Sequence, residues 1–312
     1  MEANVQTVFS TALEHTRHFE TFALTKYRLY AQAVNPIFIH GYKGSAFHGG
    51  FGHALKCISP SIFQTVFQPP FPGDPPKPYV ITPPLDAKPI YQIGDMFHFD
   101  LLLMGSAVQH FPICFAALEY LGEQLGIGKE KAKFKIVKID YADHQNVWRP
   151  VYENNQWQFI DTVVSAAQLM RSTQQTTANH LTLKFHSFLR LKNDSKLVAT
   201  APAFSLLMDR LLGRICSLSK YYNNNCLLVD RSEREQYIQH ANRITTTANH
   251  LQWQDWTRYS GRQKTTMKFG GLMGTIQYQG DFAPCYPFLK LGEWLHIGGK
   301  TSFGLGGYEM VS

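Results

Sequence analysis

Apolar and polar residues alternate over residues 22–30, with Lys26, Arg28 and Tyr30 on one face and Tyr27 and Leu29 on the other, which predicts a strand. A glycine-rich segment, residues 44–57, predicts a helix. The next stretch is punctuated by Pro69, Pro70, Pro72, Pro75, Pro76, Pro78, Pro83 and Pro84, a density that predicts a loop. Residues 97–103 alternate again, Phe97, Phe99 and Leu101 against His98 and Asp100, and predict a second strand. Pro112 suits the first turn of a helix running to about residue 125, with Phe115, Leu118 and Leu121 on one stripe and Gly126 and Gly128 ending it. Residues 133–140 read as another strand.

A polar stretch, residues 172–179, separates this series from a second one. Leu181, Leu183 and Phe185 alternate with Thr182, Lys184 and His186, and then Phe204, Leu207, Leu211, Leu212, Ile215 and Leu218 recur at helical spacing. Two β segments around Gly261, a helix over about 283–295, a glycine-rich loop and a short final strand complete the chain. Each half runs strand, helix, strands, helix, strand, the order of a split βαβ unit. The expected fold is therefore α+β, two tandem ferredoxin-like (RRM-like) domains, residues 1–175 and 176–312.

Composition narrows the setting. The 312 residues are 44% hydrophobic and 17% charged, with a formal net charge of +7, which favours a polyanionic partner. Cys57, Cys114, Cys216, Cys226 and Cys285 are odd in number and form no CxxC pair, so a disulfide framework is not expected and a reducing cytoplasm is. Cys114 and Cys216 sit in apolar stretches and read as small buried residues. No signal-peptide pattern opens the sequence, and residues 97–121, the most apolar stretch, are interrupted by Asp100, His110, Pro112 and Glu119, so no membrane association is expected.

Chemistry concentrates in three places. Residues 298–307 contain five glycines, Gly298, Gly299, Gly304, Gly306 and Gly307, beside Lys300, Thr301 and Ser302. Such a loop brings backbone N–H groups close to a phosphate, and it also serves as a plain turn into a last strand. It is not a nucleotide P-loop, because Trp294 stands where that pattern needs glycine. Near the first helix stand His40, His48 and His53. On a helix His48, Gly52 and Lys56 form one small, polar stripe open to a ribose-phosphate backbone, while His53 leans toward the apolar side. His40 precedes the helix beside Tyr42 and Lys43. In the second half Arg258, Arg262, Lys264 and Lys268, interleaved with Trp256 and Tyr259, suit a ribbon that tracks phosphates and stacks bases. Arg210 and Arg214, one turn apart, either bind RNA or pair with carboxylates near Asp209.

Four segments in register resemble the CRISPR precursor-RNA-processing endoribonucleases of the RAMP superfamily: residues 44–55, residues 91–107, residues 256–274 and the glycine loop at 296–308. The likeness extends over roughly residues 20–312. Two departures stand out, since many relatives carry a cysteine cluster after the first helix, where this chain has only Cys57, and many have Arg in place of His48. The resemblance implies cleavage of CRISPR repeat RNA without metal or cofactor. RNA carries its own nucleophile, and no carboxylate cluster stands near the histidines. His48, His40, Lys56, His53 and Tyr42 are the candidate catalytic residues. Gly298, Gly299, Lys300, Thr301, Ser302, Gly304, Gly306, Arg258, Arg262, Lys264 and Lys268 are the candidate RNA contacts. The alternative is a non-catalytic RAMP-type subunit that binds guide RNA among other effector subunits.

Overall fold

The computed structural model describes residues 18–39, 41–73, 75–171, 179–260 and 265–311. In the first half β1 (Ala23–Ala33), α1 (Gly44–Ile58), β2 (Tyr79–Thr82), β3 (Met96–Met104), α2 (Phe111–Tyr120) and β4 (Phe134–Ala142) follow one another. They pair antiparallel in the order β2-β3-β1-β4, and β5 (Trp148–Glu153) extends the sheet beside β4. A short helix, α3 (Ala166–Arg171), closes this half. The second half repeats the plan with β6 (His180–Leu189), α4 (Phe204–Tyr222), α5 (Arg231–Ala241), β7 (Thr245–Asn249), β8 (Gln252–Ser260), β9 (Thr265–Gln279), α6 (Tyr286–Leu295) and β10 (Tyr308–Val311). Its sheet runs β7-β9-β6-β10, with β8 also on β9. Both sheets have the strand order of a ferredoxin-like domain, as the alternation of elements along the sequence predicts. The boundary expected between residues 175 and 176 lies outside the described residues.

The burial of β3 shows how the halves meet. Met96, Phe97, His98 and Phe99 alternate exposed and buried, as in a sheet with one wet face, whereas every residue from Phe99 to Met104 is buried. The change marks where the second half covers the other face of the sheet. Leu24, Leu102 and Met104 there belong to one apolar cluster with Leu183, Phe185, Leu207, Leu211 and Trp294 of the second half. The helix side of the first sheet holds a separate core, in which Leu29, Phe99 and Leu101 pack under Phe47, Phe51 and Leu118.

Three features depart from the sequence reading. The proline-rich connector, read as loop, contains β2, which is tolerated between Pro78 and Pro83 because it is an edge strand that pairs only with β3. Helix α5 was not expected: it is polar, with a weak apolar stripe, and is set by a capping box between Asp230 and Glu233. β5 was not expected either; it lies half open, with the two-residue strand Gln156–Trp157 paired beyond it. Among the described residues no helix is long and apolar enough to cross a membrane. Cys114 is buried, as expected, and its thiol is pushed up to about 12, while Cys216 is half-buried with its thiol donating to the Val229 carbonyl.

Gly105 lies at the closest approach of the halves. Its φ is +57°, and a Cβ there would strike the Tyr222 carbonyl oxygen at the end of α4. Gly105→Ala is expected to cost about 1–3 kcal/mol of stability. The check is the urea midpoint, and an unchanged midpoint would contradict this packing.

Candidate functional site

The glycine loop after α6 does not stand free. Its residues Thr301–Phe303 form a 3-10 turn lodged against α1 and β2. The Phe303 ring stacks on the His48 ring at 3.6 Å between centroids and 9° between planes. Tyr42 Oη donates to the Phe303 carbonyl at 2.8 Å, and a Cβ at Gly44 would collide with that same carbonyl. Gly304 follows at φ +82°, where a Cβ would sit 2.6 Å from the Ile81 carbonyl of β2. Gly306, at φ +73°, is pressed against the Ile297 carbonyl. Close approach is thus required at Gly304 and Gly306 toward the protein's own carbonyls. The N–H groups of Gly299, Phe303, Gly304, Gly306 and Gly307 are likewise spent on protein acceptors.

The other side of the turn looks into a groove of about 730 Å³ between α4, the end of β6, residues 75–77 and the loop. Lys77, Arg190, Lys192, Arg210, Arg214, Arg234 and Lys300 line it against one carboxylate, Asp209. That carboxylate is committed already, accepting from Arg234 Nη2 at 2.5 Å and lying 3.4 Å from Arg210. Cations that outnumber carboxylates in a concave, partly desolvated surface raise the local potential toward anions. Gly298, Gly299, Lys300, Thr301 and Ser302 all border the groove, with Gly299 and Lys300 exposed at its rim and Thr301 and Ser302 buried. Both alternatives for Arg210 therefore meet in one place: it pairs with Asp209 and lines the groove.

On α1 the expected exposures of His48 and His53 are exchanged, while Lys56 is exposed as read. His48 is 7% exposed, between Phe303 and the Phe67 ring at 4.8 Å, and a Cβ at Gly52 would strike the Phe67 ring. The stripe read as open is closed by Phe67 from the segment after α1 and by Phe303 from the far end of the chain, neither of which local periodicity can reveal. His53, read as leaning to the core, is exposed, as are Gly49 and Lys56, and these three form the wet stripe of the helix. Lys56 Nζ lies 5.9 Å over the Phe63 ring. Burial raises the pKa of Tyr42 well above its ordinary value, so its hydroxyl remains a proton-bearing tether for the loop. Lys43 is buried, its Nζ donating to Asp86 Oδ1 at 3.1 Å. His40, Arg262 and Lys264 lie outside the described residues. Arg258 and Lys268 lie on the paired strands β8 and β9. Lys77, Arg190, Lys192 and Arg234 were not singled out in the sequence, being too far apart to form a local cluster. Among the described residues no three His, Cys, Asp or Glu side chains come together as a metal-binding group.

The profile of the CRISPR-associated endoribonuclease Cas6 family matches residues 183–308, which include the groove-forming α4 and the whole glycine loop. Residues 183–308 are thus similar to the Cas6 endoribonuclease family. The first half, residues 22–164, matches a family described as an N-terminal domain, AF_1859_N. Among solved structures a Cas6 product complex is similar over 92% of this chain and 100% of that one, with a TM-score of 0.62 and 14% identity. Thermus thermophilus Cas6 is similar over 93% and 99%, with a TM-score of 0.57 and 13% identity. A chain of a partial Cas6-RT-Cas1–Cas2 complex is similar over 93% of this chain and 46% of that longer one, with a TM-score of 0.61 and 14% identity. At such identities the likeness establishes the shared tandem fold. No curated protein matches in sequence.

Two outcomes follow from this geometry. His48→Ala is expected to lower stability by about 1–3 kcal/mol by emptying the stack under Phe303, while His53→Ala stays within about 0.5 kcal/mol of the parent. Equal denaturation midpoints for the two variants would restore the sequence-based faces. Lys300→Ala is expected to lower the slope of log affinity against log salt for RNA by about one; an unchanged slope would remove Lys300 from the interface.

Proposed function

We propose that this chain is a CRISPR repeat-specific endoribonuclease that processes precursor CRISPR RNA. The observation that carries the reading is the turn Thr301–Phe303, one side of which borders the cation-lined groove while the other is stacked on the histidine-bearing helix α1. A strand held along the groove by its phosphates runs past the turn toward α1.

The cut uses the RNA's own 2′-hydroxyl as nucleophile. The enzyme must take its proton, supply one to the leaving 5′-oxygen and stabilise the phosphorane charge, none of which requires a metal. The products are a 2′,3′-cyclic phosphate and a 5′-hydroxyl. Of the described candidates, His53 and Lys56 are the ones that solvent, and so a substrate, reaches; His53 exchanges the proton and Lys56 offsets charge. His40, four residues before the helix in sequence, is the second candidate for the acid–base pair. His48 and Tyr42 act on the turn and not on the RNA: they hold Phe303 in place. Arg258, Arg262, Lys264 and Lys268 are further candidate phosphate contacts. The resemblance to a Cas6 found within a Cas6-RT-Cas1–Cas2 complex supports other CRISPR proteins as further partners, in the cytoplasm.

A repeat RNA with a single 2′-deoxy nucleotide 5′ of the cut is expected to bind normally and stay intact, and parental cleavage is expected to persist in excess chelator. Cleavage of the deoxy substrate, or a strict divalent-ion requirement, would contradict the chemistry. His53→Ala is expected to slow single-turnover cleavage roughly 10²–10⁴-fold at unchanged affinity. A parental rate in His53→Ala with an inactive His40→Ala moves the acid–base role to His40. No cleavage by the parent itself, with tight binding, makes the chain the non-catalytic guide-RNA-binding subunit.

A further inference from the structure

Arg214 is the one groove cation whose surroundings the proposed chemistry leaves unexplained. It sits in the middle of α4 and is 7% exposed. Its Nε donates to the carbonyl of Leu295, the last residue of α6, at 2.9 Å. Its Nη2 is buried and has no hydrogen-bond partner among the described residues. Among the described residues Asp209 is the one carboxylate lining the groove, and it is engaged by Arg234 and Arg210. Burial draws its pKa down to about 9, which still leaves the group cationic near neutral pH.

A buried charge without a counter-charge is costly to the folded state. Capping the end of α6 does not account for it, since one N–H satisfies the Leu295 carbonyl and a neutral side chain could supply it. What a guanidinium adds is a fixed planar fork of further donors, which fits two oxygens of a phosphate. The bond to Leu295 fixes that fork before any ligand arrives, so little side-chain freedom is lost on binding.

We propose that Arg214 is the floor of an anion site in this groove and receives one backbone phosphate of the bound RNA, with Lys300 at the rim of the same groove. The proposal rests on the RNA-binding reading above and deepens it. No residue of α1 lines the groove, so this phosphate is a gripped one, apart from the phosphate that reacts. Arg214 is then a binding residue that sets affinity and register, and not a participant in the cut.

The test compares the parent with Arg214→Met and Arg214→Lys. Thermal unfolding is followed in sodium chloride and in inorganic phosphate at equal ionic strength. The parent is expected to gain Tm specifically in phosphate. Arg214→Met removes an uncompensated buried charge at similar volume, so it is expected to melt above the parent in chloride and to gain nothing from phosphate. Arg214→Lys keeps the charge but loses the fork, and is expected to keep a reduced gain. With repeat RNA, Arg214→Met is expected to bind roughly 10- to 100-fold more weakly, with a salt slope smaller by about one. A Met variant that melts below the parent, responds to phosphate as the parent does and keeps the parental salt slope would make Arg214 a helix cap and overturn the proposal. If the Met variant does not fold, parental phosphate gain and RNA affinity in Arg214→Lys overturn it instead. A parent with no phosphate-specific gain overturns the anion site while leaving RNA binding elsewhere on the chain intact. A parent that gains from phosphate but binds no repeat RNA keeps the anion site and rejects RNA as its occupant.

Discussion

The docking of the Thr301–Phe303 turn onto the first domain is the contact on which the candidate site depends. Ring stacking with His48, the hydrogen bond from Tyr42 and the tight passage of Gly304 past β2 act on consecutive residues of one turn. Each is modest alone, about 0.5–1.5 kcal/mol for a stacked pair or a hydrogen bond. Together they fix a loop that arises from the second domain against a helix that arises from the first. The contact is reinforced from below by the apolar cluster that both sheets share. A rigid placement matters for the proposed cut, in which the 2′-hydroxyl is aligned with the bond to be broken and errors near 1 Å are expensive in rate.

Charge distribution follows from the same docking. The groove exists because the loop, α4 and residues 75–77 are brought side by side, and its cations come from all of them. Lys77 belongs to the first domain's connector, while Arg190, Arg210, Arg234 and Lys300 belong to the second domain. A basic surface assembled from distant segments attracts a polyanion only when the domains are correctly joined, so folding and binding are coupled through the turn.

Much of this was legible in the sequence. Two series of alternating and helical segments gave the tandem fold, because each main strand and helix carries its own period. The glycine loop and the histidine-bearing helix were visible as local compositions. What was not legible is what lies against them. Periodicity on α1 separates two faces, but Phe67 and Phe303 decide which face is covered, and Phe303 is contributed from the far end of the chain. For the same reason the close approach of Gly304 and Gly306 to the Ile81 and Ile297 carbonyls was not legible. The groove cations escaped notice because Lys77, Arg190, Lys192 and Arg234 converge only in three dimensions.

The central claim is that one RNA strand contacts both the outer side of the turn and the wet stripe of α1. Hydrogen exchange of the protein with and without a non-cleavable repeat RNA tests it most directly. The account predicts slowed exchange in both the segment around Lys300 and the segment of α1 around His53, at the same RNA concentration. Protection confined to the outward face of the first sheet, with both of these segments exchanging as in the free protein, would contradict it.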